Sequence, residues 1–225
     1  MKVMTNISKL FIAALIALAF VPPLTSPAPA QQSEVPLVQR PLSDEEKQVV
    51  TAVENYFRAL TTLKSRFIQV SSTGYVARGN LYLSRPGLMR FEYDPPSPIL
   101  ITADGTWLTY QDNELEHTDR FPLDRTPVGL LVSDDPKLGE KVLVEEIIRD
   151  LNIVQLTLRQ KRDPELGTVT LVFQTRPFEL KQWVVKDSQN VEVKVALLDP
   201  SYGVTLERQL FVPNQFSDPT QDLGN

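Results

Sequence analysis

Residues 79–96 read Gly-Asn-Leu-Tyr-Leu-Ser-Arg-Pro-Gly-Leu-Met-Arg-Phe-Glu-Tyr-Asp-Pro-Pro, and from residue 99 the chain continues Ile-Leu-Ile-Thr-Ala-Asp-Gly-Thr-Trp-Leu-Thr-Tyr to Tyr110. Met89, Phe91 and Tyr93 alternate with Arg90 and Glu92, the period of a strand with one dry and one wet face. Turn chemistry brackets it: Arg85-Pro86-Gly87 before, Asp94-Pro95-Pro96 after, and Asp104-Gly105 as a tight hairpin further on. Strands are therefore predicted over 79–84, 88–93, 99–103 and 106–110. No helix fits between them, so neighbours run antiparallel.

Working outward, Ser43 followed by Asp44, Glu45 and Glu46 is a helix start, with Ser43 as N-cap, Glu46 completing a capping box and the acids at the positive dipole end. Val49, Val53, Phe57 and Leu60 recur at helical spacing, and Val50 widens the stripe. The period then turns to two, giving a strand over 66–72 that Gly74 ends. The polar stretch 113–120 reads as a solvated loop holding His117. A short helix is predicted over 126–133, with Pro127 at its first position and Val128, Leu130 and Leu131 apolar. Strands follow over 142–148, 152–160, 167–174, 180–186, 191–198 and 204–211. About eleven strands in meander order exceed what a twisted open sheet holds comfortably, so the sheet curls into a barrel or half-barrel. The apolar face then either packs a solid core or surrounds a cavity with the helices as a lid. Periodicity does not separate those two outcomes.

Composition narrows the class. The chain has 225 residues, 42% hydrophobic and 23% charged, the usage of a globular protein of one or two domains. It has no cysteine, so disulfides, thiol chemistry and a lipid-modified N-terminal cysteine are excluded. Lys2 and Lys9, the apolar run 10–21 and Ala28-Pro29-Ala30 read as an export leader over residues 1–30. That run is too short for the roughly 20 residues of a membrane span. A polar, proline-bearing lead-in is expected over 31–42, one domain over 43–216 and a flexible tail over 217–225. The net charge is −5, and losing Lys2 and Lys9 makes the mature chain more acidic still. Nucleic acid and anionic lipid surfaces are poor partners for such a chain.

Reactive constellations are weak. Asp44/Glu45/Glu46, Asp134/Asp135 and Glu145/Glu146 pair carboxylates, but helix capping, a Ser-Asp-Asp-Pro loop and strand geometry account for them. His117 is the single histidine, so a multi-histidine zinc site cannot form. There is no G-x-S-x-G elbow and no glycine-rich phosphate loop. No metal and no cofactor are expected, and a binding protein is favoured over a hydrolase of the cell envelope.

The block from Gly79 resembles the periplasmic outer-membrane lipoprotein carrier family, whose members show G-x-L-x-L-x-R-P-x-x-x-R-[WF]-x-Y, a proline-rich turn and then [IV]-x-[SA]-D-G. Phe67 and Gln69 look like that family's F-x-Q on the first strand, and residues 126–131 look like its T-P-x-x-L-L helix start. The resemblance covers roughly residues 43–216. The ending departs from it, because Phe211-Val-Pro-Asn-Gln-Phe216 stands where many members carry F-x-F-x-x-P-x-G, which leaves the last strand open.

The resemblance implies an unclosed antiparallel β-barrel of about eleven strands, mainly β, with short helices as a lid over a hydrophobic cavity. Its ligand would be the acyl chains of lipoprotein cargo, received from an inner-membrane ABC-type lipoprotein-releasing transporter and delivered to the outer membrane, where a lipoprotein receptor takes them. A receptor of this fold would carry an N-terminal cysteine, so the soluble monomeric carrier of the periplasm is the better match. Arg85 matches the family arginine that bonds lid backbone and holds the empty cavity shut. Strand alternation nominates Met89, Phe91 and Tyr93 as cavity-facing, with Leu108 and Tyr110 beside them, while Trp107 shares a face with polar Thr109. A lipid-binding or envelope-sensing module on the same half-barrel is the rival reading.

Overall fold

The cap chemistry at Ser43 starts helix α1 (Asp44–Ala59) as expected. Ser43 Oγ accepts from the Glu46 amide at 3.2 Å and Glu46 Oε2 accepts from the Ser43 amide at 2.8 Å. Val49, Val53 and Phe57 are its buried stripe, and Leu60 closes it in an extended conformation. This computed structural model describes residues 41–134, 137–140 and 142–216. The expected leader, the expected lead-in up to residue 40 and the expected tail over 217–225 lie outside the described residues, as does Asp135.

The strands are β1 (Thr62–Ser71), β2 (Val76–Ser84), β3 (Leu88–Tyr93), β4 (Ile99–Asp104), β5 (Trp107–Asp112), β6 (His117–Pro122), β7 (Val142–Arg149), β8 (Ile153–Gln160), β9 (Thr168–Thr175), β10 (Phe178–Lys186) and β11 (Glu192–Tyr202). They form one 11-stranded sheet in the order β6-β5-β4-β3-β2-β1-β11-β10-β9-β8-β7, antiparallel throughout. First and last strands meet in the middle, so β6 and β7 are left as the two edges of an unclosed sheet. The fold is mainly β, with α1 and the short α2 (Gly129–Val132) covering its concave side.

The inner face is set by the pleat. Leu63 and Phe67 of β1, Leu81 and Leu83 of β2, and Met89 and Phe91 of β3 are all at most 3% exposed. Phe67 lies over Gly79, where a Cβ would meet Glu92 O at 2.2 Å and the Phe67 ring at 2.7 Å. Removing one side chain from β2 is what lets that ring lie flat against the sheet.

Three expectations are corrected. Residues 117–122 are strand β6, not part of a loop, and His117 opens it, exposed and 3.0 Å from Asp119 Oδ2. An edge strand needs little apolar character, and its ladder to β5 supplies the order that a polar sequence conceals. The last expected strand, 204–211, does not form. Instead β11 runs past 198 to Tyr202, and Gly203, at φ +65°, turns the chain off the sheet toward a 3-10 turn at Arg208–Phe211. That segment crosses the convex side: Arg90 Nη1 donates to Leu210 O at 3.1 Å, and Gln111 and the Asn214 backbone exchange two bonds of 2.8 Å. It explains why β4 and β5 are buried on both faces. Finally, the helix expected over 126–133 is only Gly129–Val132, because Thr126 Oγ1 donates to Leu123 O at 2.8 Å and accepts from Gly129 N at 3.2 Å, closing a turn where Pro127 was expected to begin the helix.

Gly79→Ala forces its methyl into backbone and the Phe67 ring. A loss of about 1–3 kcal/mol is expected from overpacking, read as a lower urea midpoint with an unchanged slope.

Candidate functional site

Strands β6 and β7 are consecutive in the chain yet lie at opposite edges of the sheet, so the segment between them must span the opening. It does so with apolar side chains turned inward: Val128, Leu131, Val132 and Leu138 are at most 2% exposed and belong to the same core as α1. Two covers, α1 and this crossing segment, therefore share the concave face.

Arg85 lies where they meet. Its Nη1 donates to Phe57 O near the end of α1, and its Nη2 donates to Ser133 O just past α2. Both acceptors are carbonyls that a helix end leaves without an internal partner. The guanidinium carbon also lies 5.2 Å from the centroid of the Phe57 ring, and Gly87 N, two residues on, donates to Val132 O at 2.8 Å. Burial pulls the guanidinium below its ordinary pKa, opposed by the carboxylate of Asp134. An arginine remains charged under such a pull, so the tie does not depend on pH in the physiological range. Three further bonds fasten the crossing segment: Leu138 N to Glu54 Oε1 at 3.0 Å, Gln160 Nε2 to Thr126 O at 3.3 Å and Lys161 Nζ to Gly139 O at 2.7 Å.

Beneath the covers the structure brings together the residues that strand alternation nominated. Met89 and Leu108 are fully buried, Phe91, Tyr110 and Tyr93 nearly so. Phe67 stands edge-on to Phe91 at 5.1 Å and to Tyr93 at 5.2 Å, and Trp183 meets Phe91 at 6.1 Å. Trp107 stays outside, 39% exposed, with Arg120 5.6 Å from its ring centroid. The carboxylate pairs do not converge: Glu145 sits at a bulge of β7 against Arg159, and Asp44 holds Lys47 at 2.8 Å.

An apolar concave sheet thus lies under two covers, and one arginine is bonded to both. Residues 58–214 match the family described as outer membrane lipoprotein carrier protein LolA. The chain belongs to the LolA family. It is 28% identical over 160 residues to an outer-membrane lipoprotein carrier protein of Pseudomonas aeruginosa, covering 67% of this chain and 76% of that one. A protein of Rickettsia prowazekii, described only as uncharacterized, is 24% identical over 117 residues; the match spans 52% of this chain and 55% of that relative's length. A LolA superfamily protein of Nitrosomonas europaea superimposes with a TM-score of 0.46 at 7% identity, covering 74% of this chain and 97% of that one.

In this LolA-family chain sequence reasoning missed Trp183 and Phe173 as parts of the buried aromatic set, although each shares the alternation of its strand, and Phe173 lies edge-on to Phe57 of the expected helix stripe at 6.2 Å. Glu54 was also missed, and nothing in sequence marks it, since its partner is a backbone amide 84 positions away.

Tyr93 is buried, and its phenol is pushed well above the ordinary value by that burial, with added repulsion from Tyr75 and Tyr110. The unfolded chain gives up this proton near about pH 10 while the native chain keeps it, so stability falls as pH rises through that region. Urea midpoints are expected to drop from about pH 9 to about pH 11, and Tyr93→Phe should flatten part of that drop. A variant with the full wild-type slope would remove Tyr93 from the account.

Proposed function

We propose that this protein is a soluble periplasmic chaperone that takes up the acyl chains of lipoproteins released from the inner membrane and carries them to the outer membrane. The observation that carries the reading is the single arginine, Arg85, bonded at once to both covers of an apolar concave sheet. The likeness to named lipoprotein carriers supports it. In this reading residues 1–30 are the export leader, residues 43–216 are the carrier domain, and the chain acts as a monomer that binds and does not catalyse.

Free passage of such cargo through water is unfavourable, because each exposed methylene costs about 0.8 kcal/mol and an acylated lipoprotein has tens of them. A dry escort removes that cost. Met89, Phe91, Tyr93, Leu108 and Tyr110 would line the space that receives the chains, and in the closed form they occupy it with one another and with Phe67 and Trp183. Loading then exchanges side chain against side chain for side chain against acyl chain, two apolar contacts of similar worth. The difference that decides open from closed is polar: two hydrogen bonds from a charged donor, each worth about 1.5–3 kcal/mol. A charge at that junction gives two discrete states.

Docking follows from the same cycle. An inner-membrane ABC-type transporter would hand over cargo by displacing the covers, and an outer-membrane lipoprotein receptor would accept it when they close. Release requires that the closed form compete with the filled one, and adaptable contacts such as Met89 hold a chain without fixing it.

Secreted protein isolated without detergent should carry intact acylated lipoproteins, identified by mass spectrometry. Recovery of free phospholipid alone would instead favour a lipid-binding or envelope-sensing module. Arg85→Leu should fold and still take up an apolar dye, but transfer of bound lipoprotein to outer-membrane vesicles should fall at least about tenfold, the effect of one such bond. Transfer at the wild-type rate would remove Arg85 from the cycle.

A further inference from the structure

The concave face contains one polar side chain among the described residues that neither a turn nor a bulge accounts for. Ser65 donates into the β1–β11 bulge, and the carboxylates of Asp112 and Asp187 accept backbone amides in hairpins. Thr102 and Thr109 share a ladder row with Arg90 and Arg120 on the convex side, and Gln111 is taken by Asn214. Gln69 is different. It is 1% exposed and points with Phe67 toward the interior, its ladder partners Ala77 and Val195 both being core residues. The hydroxyl of Tyr93 donates to its Oε1 at 2.8 Å.

Stability does not require such a pair, because replacing both partners of a buried hydrogen bond by apolar groups of the same shape is close to neutral. Its chemistry is directional. An amide that accepts through its oxygen still carries two donors on its nitrogen, and a donating phenol oxygen still carries lone pairs, which is the capacity such a pair offers to a ligand. An ester or amide group, whose carbonyl oxygen accepts, is the complement of that set. Position agrees with this. Gln69 sits near the β1–β2 hairpin, whereas Arg85 acts at the other end of β1, where its amide donates to Thr61 O at 2.8 Å. From Leu63 to Gln69 the strand covers about 20 Å at about 3.4 Å per residue, a run of apolar wall on which an extended fatty chain can lie.

We propose that Gln69 and Tyr93 form a carbonyl clamp that binds the ester or amide group joining acyl chains to the cargo headgroup, setting the end of the interior at which the polar part emerges and selecting acylated glyceryl cargo over plain hydrocarbon. This rests on the carrier reading and adds to it the part of the cargo that is recognised.

The test compares two probes: a dipalmitoylglyceryl-cysteine peptide and a long-chain hydrocarbon fluorophore without carbonyls, bound to the wild type, to Tyr93→Phe and to the double variant Gln69→Leu/Tyr93→Phe, each first shown to melt cooperatively. The double variant is expected to lose about tenfold more in affinity for the peptide than for the hydrocarbon, the worth of one or two buried hydrogen bonds. Tyr93→Phe, which keeps the amide in place, should lose less. Equal losses for both probes would reduce the pair to packing, and unchanged affinity for the peptide would overturn the clamp while leaving the carrier intact. A wild type that binds the hydrocarbon but not the peptide would overturn both.

Discussion

Because β1 pairs with β11, the two strands that follow one another on either side of the lid, β6 and β7, end up at opposite edges of the sheet. Everything else depends on that separation. The chain between them has to bridge an opening the sheet leaves unpaired, so it cannot satisfy its backbone by joining the ladder. It closes its own turns instead, at Leu123–Arg125 and Gly129–Val132, and leaves carbonyls such as Ser133 O for a side chain to take. Arg85 comes from the β2–β3 turn, the part of the rigid sheet that lies beneath this junction. A fixed cation thus meets acceptors carried by two pieces of chain that the sheet itself does not hold.

The energetic consequence is a division of labour. The sheet is stabilised by ladder bonds and by a continuous apolar interior, terms that vary little with what lies in the concavity. The covers share that interior through Val53, Phe57, Leu131 and Leu138, and add a small number of polar ties, from Arg85, Glu54, Gln160 and Lys161. The convex side follows a different logic, since the segment after Gly203 covers β4 and β5 from outside and buries Phe211 there, apart from the main core.

How much of this was legible in the residues differs by element. The capping box at Ser43, the stripe Val49–Val53–Phe57 and the alternation of β3 are local statements, each made within one element, and they appear in the structure as read. The turn at Asp104-Gly105 is local too. By contrast β6 carries almost no apolar signal, because an edge strand is ordered by its neighbour and not by burial of its own side chains. The strand expected over 204–211 had the right composition, but its apolar residues face the back of the sheet as a strap.

The sequence by itself determined a mainly β, antiparallel architecture with one amphipathic helix, since strand and helix periods, turn residues and caps act over a few positions. It also marked the Arg-Pro block and the residues of the concave face. Only the tertiary structure decided that Arg85 bonds Phe57 O and Ser133 O, that Gln69 meets Tyr93 inside the sheet, and that Glu54 reaches Leu138 N. Those contacts join groups 24 to 84 positions apart. Side chain to backbone bonds of that range depend on where the sheet curls, which no local pattern encodes.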